Sequence, residues 1–264
     1  HVALFSYSNV AVETFRREYR VLASEVPDLS PRVLIETADS FLTTYILRPH
    51  GARTMGASRQ PFLVHGSEPF LNGFKVFDGK YPHGIEELRV RYKEDGSLDC
   101  TLQPPGKQSI PIEEWKAIKA IEQLGKTGAY THELARYWTI RTLLENQRLW
   151  NALCRRYPHV LVDEAQDVGP LHGILLGILK DGGTTTSLIG DPNQGIYDFA
   201  GADGSFLREY ATTAGVTCFP LSQNRRSVST IIDVANRLVG TESTPFREPG
   251  HRRHGAYYLR YDEV

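Results

Sequence analysis

The sequence is poor in cysteine and lacks long apolar runs. Its three cysteines (Cys100, Cys154 and Cys218) lie far apart and show no metal-ligand spacing. Such cysteines are typical of reduced, buried thiols in a cytoplasmic protein, and not of a disulfide framework. No apolar run approaches the length of a membrane span, and no signal peptide is recognisable. The sequence therefore predicts a cytoplasmic protein with no membrane partner.

The sequence also has no large excess of basic over acidic residues, or of acidic over basic ones. The 264 residues include 30 basic and 31 acidic side chains, which gives a net charge of −1. No overall field therefore draws the chain to nucleic acid, and any such affinity must come from locally placed groups. With 41% hydrophobic residues the chain can bury a sizeable core. Its nine histidines form no pair at metal-ligand spacing.

The most informative segment is acidic and follows a short apolar strand. Val160–Val162 has the continuous apolar character of a strand that a parallel sheet covers on both faces. In open α/β sheets, ligands bind beyond the carboxyl ends of such strands. There Asp163 can hold Mg²⁺, and Glu164 can polarise a water for attack on a phosphoryl group. The alternative is an acidic helix start, which the helix dipole also favours.

Two further strands are predicted to end in polar clusters. Ser187–Ile189 precedes the polar segment 190–202, and a helix over Leu171–Lys180 separates it from the acidic segment. Val216–Phe219 is predicted to be a strand that leads into the polar segment 221–227. Polar clusters after successive strands are the expected layout of a nucleotide site at one edge of a sheet.

These three polar segments resemble motifs II, III and IV of the UvrD/Rep/PcrA group of superfamily 1 DNA helicases. The family patterns are close to V-D-E-x-Q-D, G-D-x-x-Q-S-I-Y-x-W-R-G-A and Q-N-Y-R-S. Residues 5–13 and 37–41 are similar to two shorter family motifs, T-F-T-N-K-A-A and T-x-H-S-F. The resemblance covers roughly 1–47 and 125–264.

The resemblance implies an α/β fold, with a RecA-like parallel sheet flanked by helices, as in P-loop NTPase motor domains. It implies a first motor domain over 1–47 and 113–220 and the start of a second over 221–264. The family's phosphate-binding loop would precede Val2, and motifs V and VI would follow Val264. We therefore expect a fragment with an incomplete N-terminal motor domain, which binds ATP poorly and is inactive alone.

The segment 48–112 departs from the family, which usually has a largely helical subdomain at this position. Residues 88–93 and 97–102 alternate in polarity around Asp95-Gly96, which predicts a β-hairpin. The segment could dock a protein partner or contact DNA, but a structural elaboration is the default interpretation.

One phosphate-loop pattern, over residues 120–127, is a decoy. Trp115, Ile118, Ile121 and Leu124 recur at helical spacing, and Gly125 is expected to stop that helix. A phosphate loop needs its lysine at the start of a helix, whereas Lys126 falls near the end of one.

For the nucleotide, the resemblance assigns roles to six residues, with ATP and Mg²⁺ as cofactors. Asp163 is expected to hold the metal and Glu164 to act as the base, while Gln194 senses the γ-phosphate beside Asp191. Arg226 matches the arginine that reaches the γ-phosphate from the second domain. Arg225 stands where the family has an adenine-stacking Tyr, and a guanidinium can also stack on a flat ring.

For DNA, Phe199 stands where the family has a base-stacking Trp, and Tyr7 where it has a DNA-facing Phe. Each could instead be a core aromatic. Ala200 replaces an Arg of motif III, and Asp39 replaces the His of T-x-H-S-F, so coupling to the strand is affected. The other candidate DNA contacts are Ser8, Asn9, Ser40 and Tyr197.

The leading hypothesis is an ATP-driven translocase, moving 3′ to 5′ on single-stranded DNA or at a junction with duplex. A second is a helicase-like regulatory or docking subunit of a complex that contains a nuclease, for repair or phage defence. A third, an ATPase without a nucleic-acid role, is disfavoured by segment 196–199.

Overall fold

The computed structural model describes residues 1–26, 33–93, 97–195 and 204–246. The chain forms two compact units, His1–Arg208 and Glu209–Val264. The helices are α1 (Asn9–Glu25), α2 (Ala38–Phe41), α3 (Arg48–Met55), α4 (Glu114–Lys126), α5 (His132–Glu145), α6 (Gln147–Arg156), α7 (Pro170–Asp181), α8 (Ser205–Ala211) and α9 (Ser229–Val239). A π-helical segment, Leu42–Leu47, joins α2 to α3, and short 3₁₀ helices span Pro69–Gly73, Ile85–Glu87, Ala165–Asp167 and Pro192–Gln194.

The strands follow the same chain order. They are β1 (Val2–Ser6), β2 (Val33–Thr37), β3 (Phe62–Leu63), β4 (Lys75–Phe77), β5 (Pro82–Gly84), β6 (Leu88–Tyr92), β7 (Leu98–Leu102), β8 (Ile110–Ile112), β9 (Ala129–Tyr130), β10 (His159–Val162), β11 (Thr185–Leu188), β12 (Gln223–Asn224) and β13 (Thr244–Pro245).

A four-stranded parallel sheet organises the first unit, with the order β11-β10-β1-β2. The predicted strand at 160–162 is confirmed and begins one residue earlier. The strand predicted at 187–189 begins two residues earlier and ends one residue earlier, at Thr185–Leu188. Helix α7 connects β10 to β11 and α1 connects β1 towards β2. All four strands therefore point the same way, and their carboxyl ends share one edge.

Local capping explains where α1 and α5 begin. The Ser8 hydroxyl accepts a hydrogen bond from Ala11 N at 3.4 Å, and the Thr131 hydroxyl accepts one from Leu134 N at 3.3 Å. Both satisfy first-turn N–H groups that have no partner within the helix. One core cluster then packs helices against the sheet through residues such as Phe5, Phe41 and Val160.

The inserted strands belong to a second core cluster. The predicted hairpin is confirmed as the antiparallel pair β6–β7, which β8 extends to three strands, while Asp95 and Gly96 lie outside the described residues. Apolar side chains of this sheet pack with those of α4 and α5, including Leu124 and Trp138. The inserted segment therefore shares its core with two helices of the flanking sequence.

Helix α4 shows why residues 120–127 do not form a phosphate loop. Lys126 is its last residue, as the spacing predicts. Gly125 does not stop the helix, because it lies inside it, where a Cβ would come within 2.5 Å of the Trp138 ring. The chain instead turns at Gly128, whose φ is +83°. Trp115 is exposed, so the buried face runs through Ala117, Ile121 and Leu124.

One prediction for the second unit is wrong. Residues 216–219 form no strand; in the described part of this unit only β12 and β13 pair. An apolar tetrapeptide without a neighbouring strand has no partner for its backbone groups. Helix α9 begins at Ser229 with Val228 at its cap position, and Gly240 ends it with a φ of +74°.

No helix within the described ranges is both long and apolar enough to cross a membrane.

Candidate nucleotide and DNA site

Most of the predicted site residues of the first unit lie at the carboxyl edge of the parallel sheet. Tyr7 and Ser8 follow β1, Ser40 follows β2, and Asp163 follows β10. The loop from Gly190 to Gln194 follows β11. Because β10 lies between β1 and β11, the acidic segment is central in this row.

The acidic segment leaves its strand through an unusual backbone conformation. Asp163 N still donates to Phe5 O at 2.8 Å, so this residue continues the sheet. Glu164 then adopts φ 54° and ψ 43°, the left-handed region, and among the described non-glycine residues it alone has a positive φ. Such a backbone costs on the order of 1–3 kcal/mol and is frequent at functional sites. The chain therefore leaves the direction of the strand at Glu164.

Gln166 joins this acidic segment to the loop after β11. Its Nε2 donates to Glu164 Oε2 at 2.6 Å, and its Oε1 accepts from Asp191 N at 3.2 Å. Gln166 is only 3% exposed, whereas its two partners are partly exposed. Gln166 is not among the predicted site residues, although it is a fixed letter of the V-D-E-x-Q-D pattern.

Gly190 allows the two loops to approach each other closely. A Cβ at this position would lie 2.5 Å from Gln166 Oε1 and 2.9 Å from Ala165 N. Backbone bonds from Ile189 N to Val162 O and from Ala165 N to Ile189 O hold the same junction. The loop is thus fixed beside the acidic segment.

Asp191 organises the short 3₁₀ helix that carries Gln194. Its carboxylate accepts from Asn193 N at 3.0 Å and from Gln194 Nε2 at 2.9 Å. Gln194 is exposed, so a modest rotation would release its amide for another partner.

Burial shapes the electrostatics of the acidic segment. Partial burial, and then the nearby Glu164 carboxylate, raise the pKa of Asp163. The same two causes raise the pKa of Asp167, whose Oδ1 is buried with no hydrogen-bond partner among the described residues. A bound cation would relieve the repulsion between these carboxylates.

The described residues contain no group of three or more His, Cys, Asp or Glu side chains that could by itself hold a metal. Mg²⁺ bound with a nucleotide does not need one, because it usually takes one or two carboxylates and fills its other positions with phosphate oxygens and water. The Asp163–Glu164 pair fits that donor set.

The candidate DNA contacts of the first unit already make local bonds. Ser8 caps α1, and Asn9 is its first residue and exposed. The Ser40 hydroxyl donates to Glu36 Oε2 at 3.0 Å. Tyr7 packs edge-on against His172, with ring centroids 5.0 Å apart. Tyr197 and Phe199 lie outside the described residues.

A charged cluster around Asp39 was not foreseen from the sequence. Its carboxylate accepts two hydrogen bonds from Arg136, at 3.0 and 2.8 Å, and one oxygen lies 3.1 Å from His172 Nε2. The imidazole of His172 therefore lies beside position 39, although residue 39 is itself an aspartate and not the histidine of the family pattern. Arg136 and His172 lie 97 and 133 positions from Asp39 in the sequence, so no local sequence pattern indicates these contacts.

Arg136 and His172 also line a cleft of about 260 Å³. Its other wall is formed by the inserted strands β6 and β7, including Arg89, Arg91 and Thr101. The start of α7 closes one side.

The remaining two candidates lie in the second unit. The Arg225 guanidinium lies 4.6 Å from the centre of the Phe246 ring, so it already stacks on an aromatic face. The backbone nitrogens of Arg226 and Ser227 donate to the Asn224 side chain at 3.0 and 2.9 Å. This turn presents both arginines just before α9.

Comparisons with known proteins match the part of the chain that carries the acidic segment. Residues 118–214 match the family model of the UvrD/REP helicase N-terminal domain. That range contains the acidic segment, Gln166 and the loop with Gln194.

Curated relatives are named as DNA helicases or as part of a recombination enzyme. RecBCD enzyme subunit RecB of Borreliella burgdorferi is 34% identical over 166 residues, which are 59% of this chain and 14% of that protein. The probable DNA helicase II homolog of Mycoplasma capricolum is 30% identical over 180 residues, which are 67% and 24% of the two chains. DNA helicase II of Haemophilus influenzae is 30% identical over 89 residues, 34% of this chain and 12% of the relative.

The matched region thus spans a quarter or less of each of these relatives. The mixed α/β fold with its parallel sheet agrees with a domain of this kind. Over these matched regions the chain is similar to the N-terminal part of UvrD-like helicases of superfamily 1.

Proposed function

We propose that the complete protein is an ATP-dependent DNA helicase that translocates 3′ to 5′ on single-stranded DNA. One observation carries this proposal: Gln166 joins Glu164 to the Asp191–Gln194 loop at the carboxyl edge of the sheet. The same residues make up motifs II and III of the family. In this proposal the four-stranded sheet is the first, RecA-like motor domain of a P-loop NTPase.

Asp163 and Glu164 would have different roles, in metal binding and in proton transfer. Asp163, which continues β10 and is partly buried, would hold Mg²⁺ with the phosphates of ATP, and this ion would neutralise developing negative charge. Glu164 would accept a proton from the attacking water. Its carboxylate has a fixed direction, because Gln166 Nε2 donates to one oxygen and leaves the other available. Removal of a general base typically lowers a rate by about 10²–10⁴-fold.

The loop after β11 would sense whether the γ-phosphate of ATP is present. Gln194 is exposed and bonded to Asp191, so its amide can exchange this partner for a phosphate oxygen. Arg226 would supply a second positive charge to the phosphate, as arginine fingers do at a gain of about 10³–10⁵ in turnover. Arg225 would stack on adenine only if its guanidinium group moved off the Phe246 ring.

DNA would lie across the edge that carries Tyr7, Ser8, Asn9 and Ser40. Base–aromatic stacking contributes about 1–3 kcal/mol per base and tolerates any sequence, as translocation requires. Tyr197 and Phe199 extend this set in the proposal. A junction of single-stranded and double-stranded DNA is the expected substrate.

ATP hydrolysis by the complete protein, measured with and without single-stranded DNA, tests the proposal. We expect stimulation by DNA, and we expect Glu164→Gln to abolish hydrolysis while a fluorescent ATP analogue still binds. Glu145→Gln, a similar change on the exposed side of α5, serves as the control and should retain activity. Activity indifferent to DNA contradicts the proposal.

A second candidate is a helicase-like regulatory or docking subunit of a nuclease-containing complex. The match to a RecBCD subunit favours it, as does the replacement of the family's His by Asp39. In that case the inserted strands could bind the protein partner. A complete protein that hydrolyses no ATP, yet co-purifies with a nuclease, would support this candidate.

A further inference from the structure

We propose that Asp39 is a positioning residue that transmits the presence of a DNA strand at Tyr7 to the segment carrying Glu164. The inference rests on the proposed function, because it takes Tyr7 as a DNA contact and Glu164 as the base. It assigns a role in coupling to a residue that replaces the family's usual histidine.

The Asp39 carboxylate connects three helices. Asp39 lies in the first turn of α2, and its carboxylate accepts two bonds from Arg136 of α5 and contacts His172 of α7. A planar guanidinium bonded through two nitrogens fixes direction as well as distance. The three helices therefore cannot move independently at this point.

His172 extends the connection to Tyr7. Its side chain is almost fully buried, and its ring meets the Tyr7 ring at 76° with centroids 5.0 Å apart. Edge-to-face packing of this kind defines the orientation of both rings. A DNA strand that displaces Tyr7 would therefore also displace His172, or it would strain the hydrogen bond between His172 and Asp39.

The ionisation states keep this connection intact near neutral pH. Burial acts to raise the pKa of Asp39, but the hydrogen bonds from His172 and Arg136 outweigh it and hold the pKa far below its usual range. Burial lowers the pKa of His172 although Asp39 opposes this, so the imidazole is neutral. A neutral ring that faces a carboxylate through Nε2 carries its proton there and donates it. Tyr7 is un-ionised, because burial and the nearby Asp39 raise its pKa, and Asp167 contributes in the same direction.

The last step leads from α7 to the acidic segment. Helix α7 begins at Pro170, three positions after the 3₁₀ helix Ala165–Asp167, which follows Glu164 directly. Ala165 and Val168 are buried, so this connection is packed against the core. A shift of α7 is therefore expected to change the direction of the Glu164 carboxylate. Misplacement of a catalytic group by about 1 Å can lower a rate by about 100-fold.

The test compares Asp39→Asn with two other variants of the complete protein. Asp39→Asn keeps the shape but removes the charge, Asp39→Glu restores it, and Glu122→Gln removes a carboxylate from another α5 arginine, Arg141. Glu122 and Asp39 are similarly exposed, at 46% and 54% of the side chain. ATP turnover is measured without DNA and across a titration of single-stranded oligonucleotide.

Asp39→Asn should lower the DNA-stimulated turnover by about 10- to 100-fold. The turnover without DNA and the KM for ATP should stay within about threefold of wild type, and Asp39→Glu should recover part of the loss. Glu122→Gln should behave as wild type. A merely structural role would instead lower both turnovers and the thermal unfolding midpoint together.

Two results separate the inference from the function on which it rests. Wild-type turnover without any response to DNA overturns both. Normal stimulation in wild type and in folded Asp39→Asn overturns the inference alone. If Asp39→Asn does not fold, His172→Gln replaces it, with the same expected loss of stimulation and the same overturning result.

Discussion

The side-chain amide of Gln166 donates a 2.6 Å hydrogen bond to Oε2 of Glu164, two residues earlier in the chain. Because Glu164 has a left-handed backbone, its side chain turns back towards this amide. The same Gln166 side chain accepts from the backbone of Asp191, so one buried group sets the geometry of two loops.

Gln166→Leu should destabilise the fold and loosen the acidic segment. The substitution leaves Asp191 N without its acceptor at a partly buried position, and an unsatisfied group that is fully buried costs about 1–3 kcal/mol. Urea unfolding followed by circular dichroism measures the loss. Gln147→Leu, at an exposed position, is the control and should change stability by less than about 0.5 kcal/mol. Equal stability of the two variants would contradict the expectation.

Gly190→Ala should push the loop after β11 away from the acidic segment. Its methyl group would meet Gln166 and the backbone of Ala165 at distances that require a shift. Overpacking of this type costs about 1–3 kcal/mol. In the complete protein we also expect lower ATP turnover, because Gln194 moves with this loop. Turnover and thermal stability equal to wild type would show that the two loops are not in close contact.

Gly125→Ala and Gly177→Ala form a matched pair within helices α4 and α7. A Cβ at Gly125 would lie 2.5 Å from the Trp138 ring, whereas a Cβ at Gly177 meets no atom within 4 Å. We expect the first to destabilise by about 1–3 kcal/mol. The second should stabilise by about 0.5–1 kcal/mol, because alanine favours the helix over glycine. Thermal unfolding of both variants measures these changes in stability. A stability change of the same sign in both variants would contradict the packing of α4 against α5.

Stability should fall as His83 loses its proton. His83 bonds Glu87 at 3.0 Å and Asp78 at 3.2 Å. The Glu87 bond is the largest influence and raises the pKa of His83; burial opposes it and Asp78 adds to it. A raised pKa in the folded state means that this stabilisation is complete below the ordinary value of about 6.5 and is lost as pH rises through the folded-state pKa.

Unfolding free energies at a series of pH values from about 5 to 9 test this expectation. The difference between wild type and His83→Gln should be largest at the acidic end and should shrink with increasing pH. The opposite trend would mean that His83 is neutral between its two carboxylates.

The sequence predicted what depends on local pattern. Apolar runs such as Val160–Val162 predicted the parallel strands, and the polar residues that follow these strands lie at one edge of the sheet. Alternation in polarity identified the β6–β7 hairpin. These features depend on neighbours within a few positions, which a sequence displays directly.

What the sequence could not predict depends on distant partners. Asp39 meets Arg136 and His172 only after α5 and α7 pack, and the role of Gln166 required the position of Asp191. Gly125 looked like a helix stop, but its missing side chain makes room for Trp138. The expected strand at 216–219 failed for a related reason, since a strand needs a neighbour that its own residues do not specify.

The shared core of the inserted strands with α4 and α5 limits how this protein can be shortened. Replacing residues 58–112 by a flexible linker would leave Ile121, Leu124 and Trp138 facing water. Such a truncation is expected to aggregate instead of yielding a minimal motor.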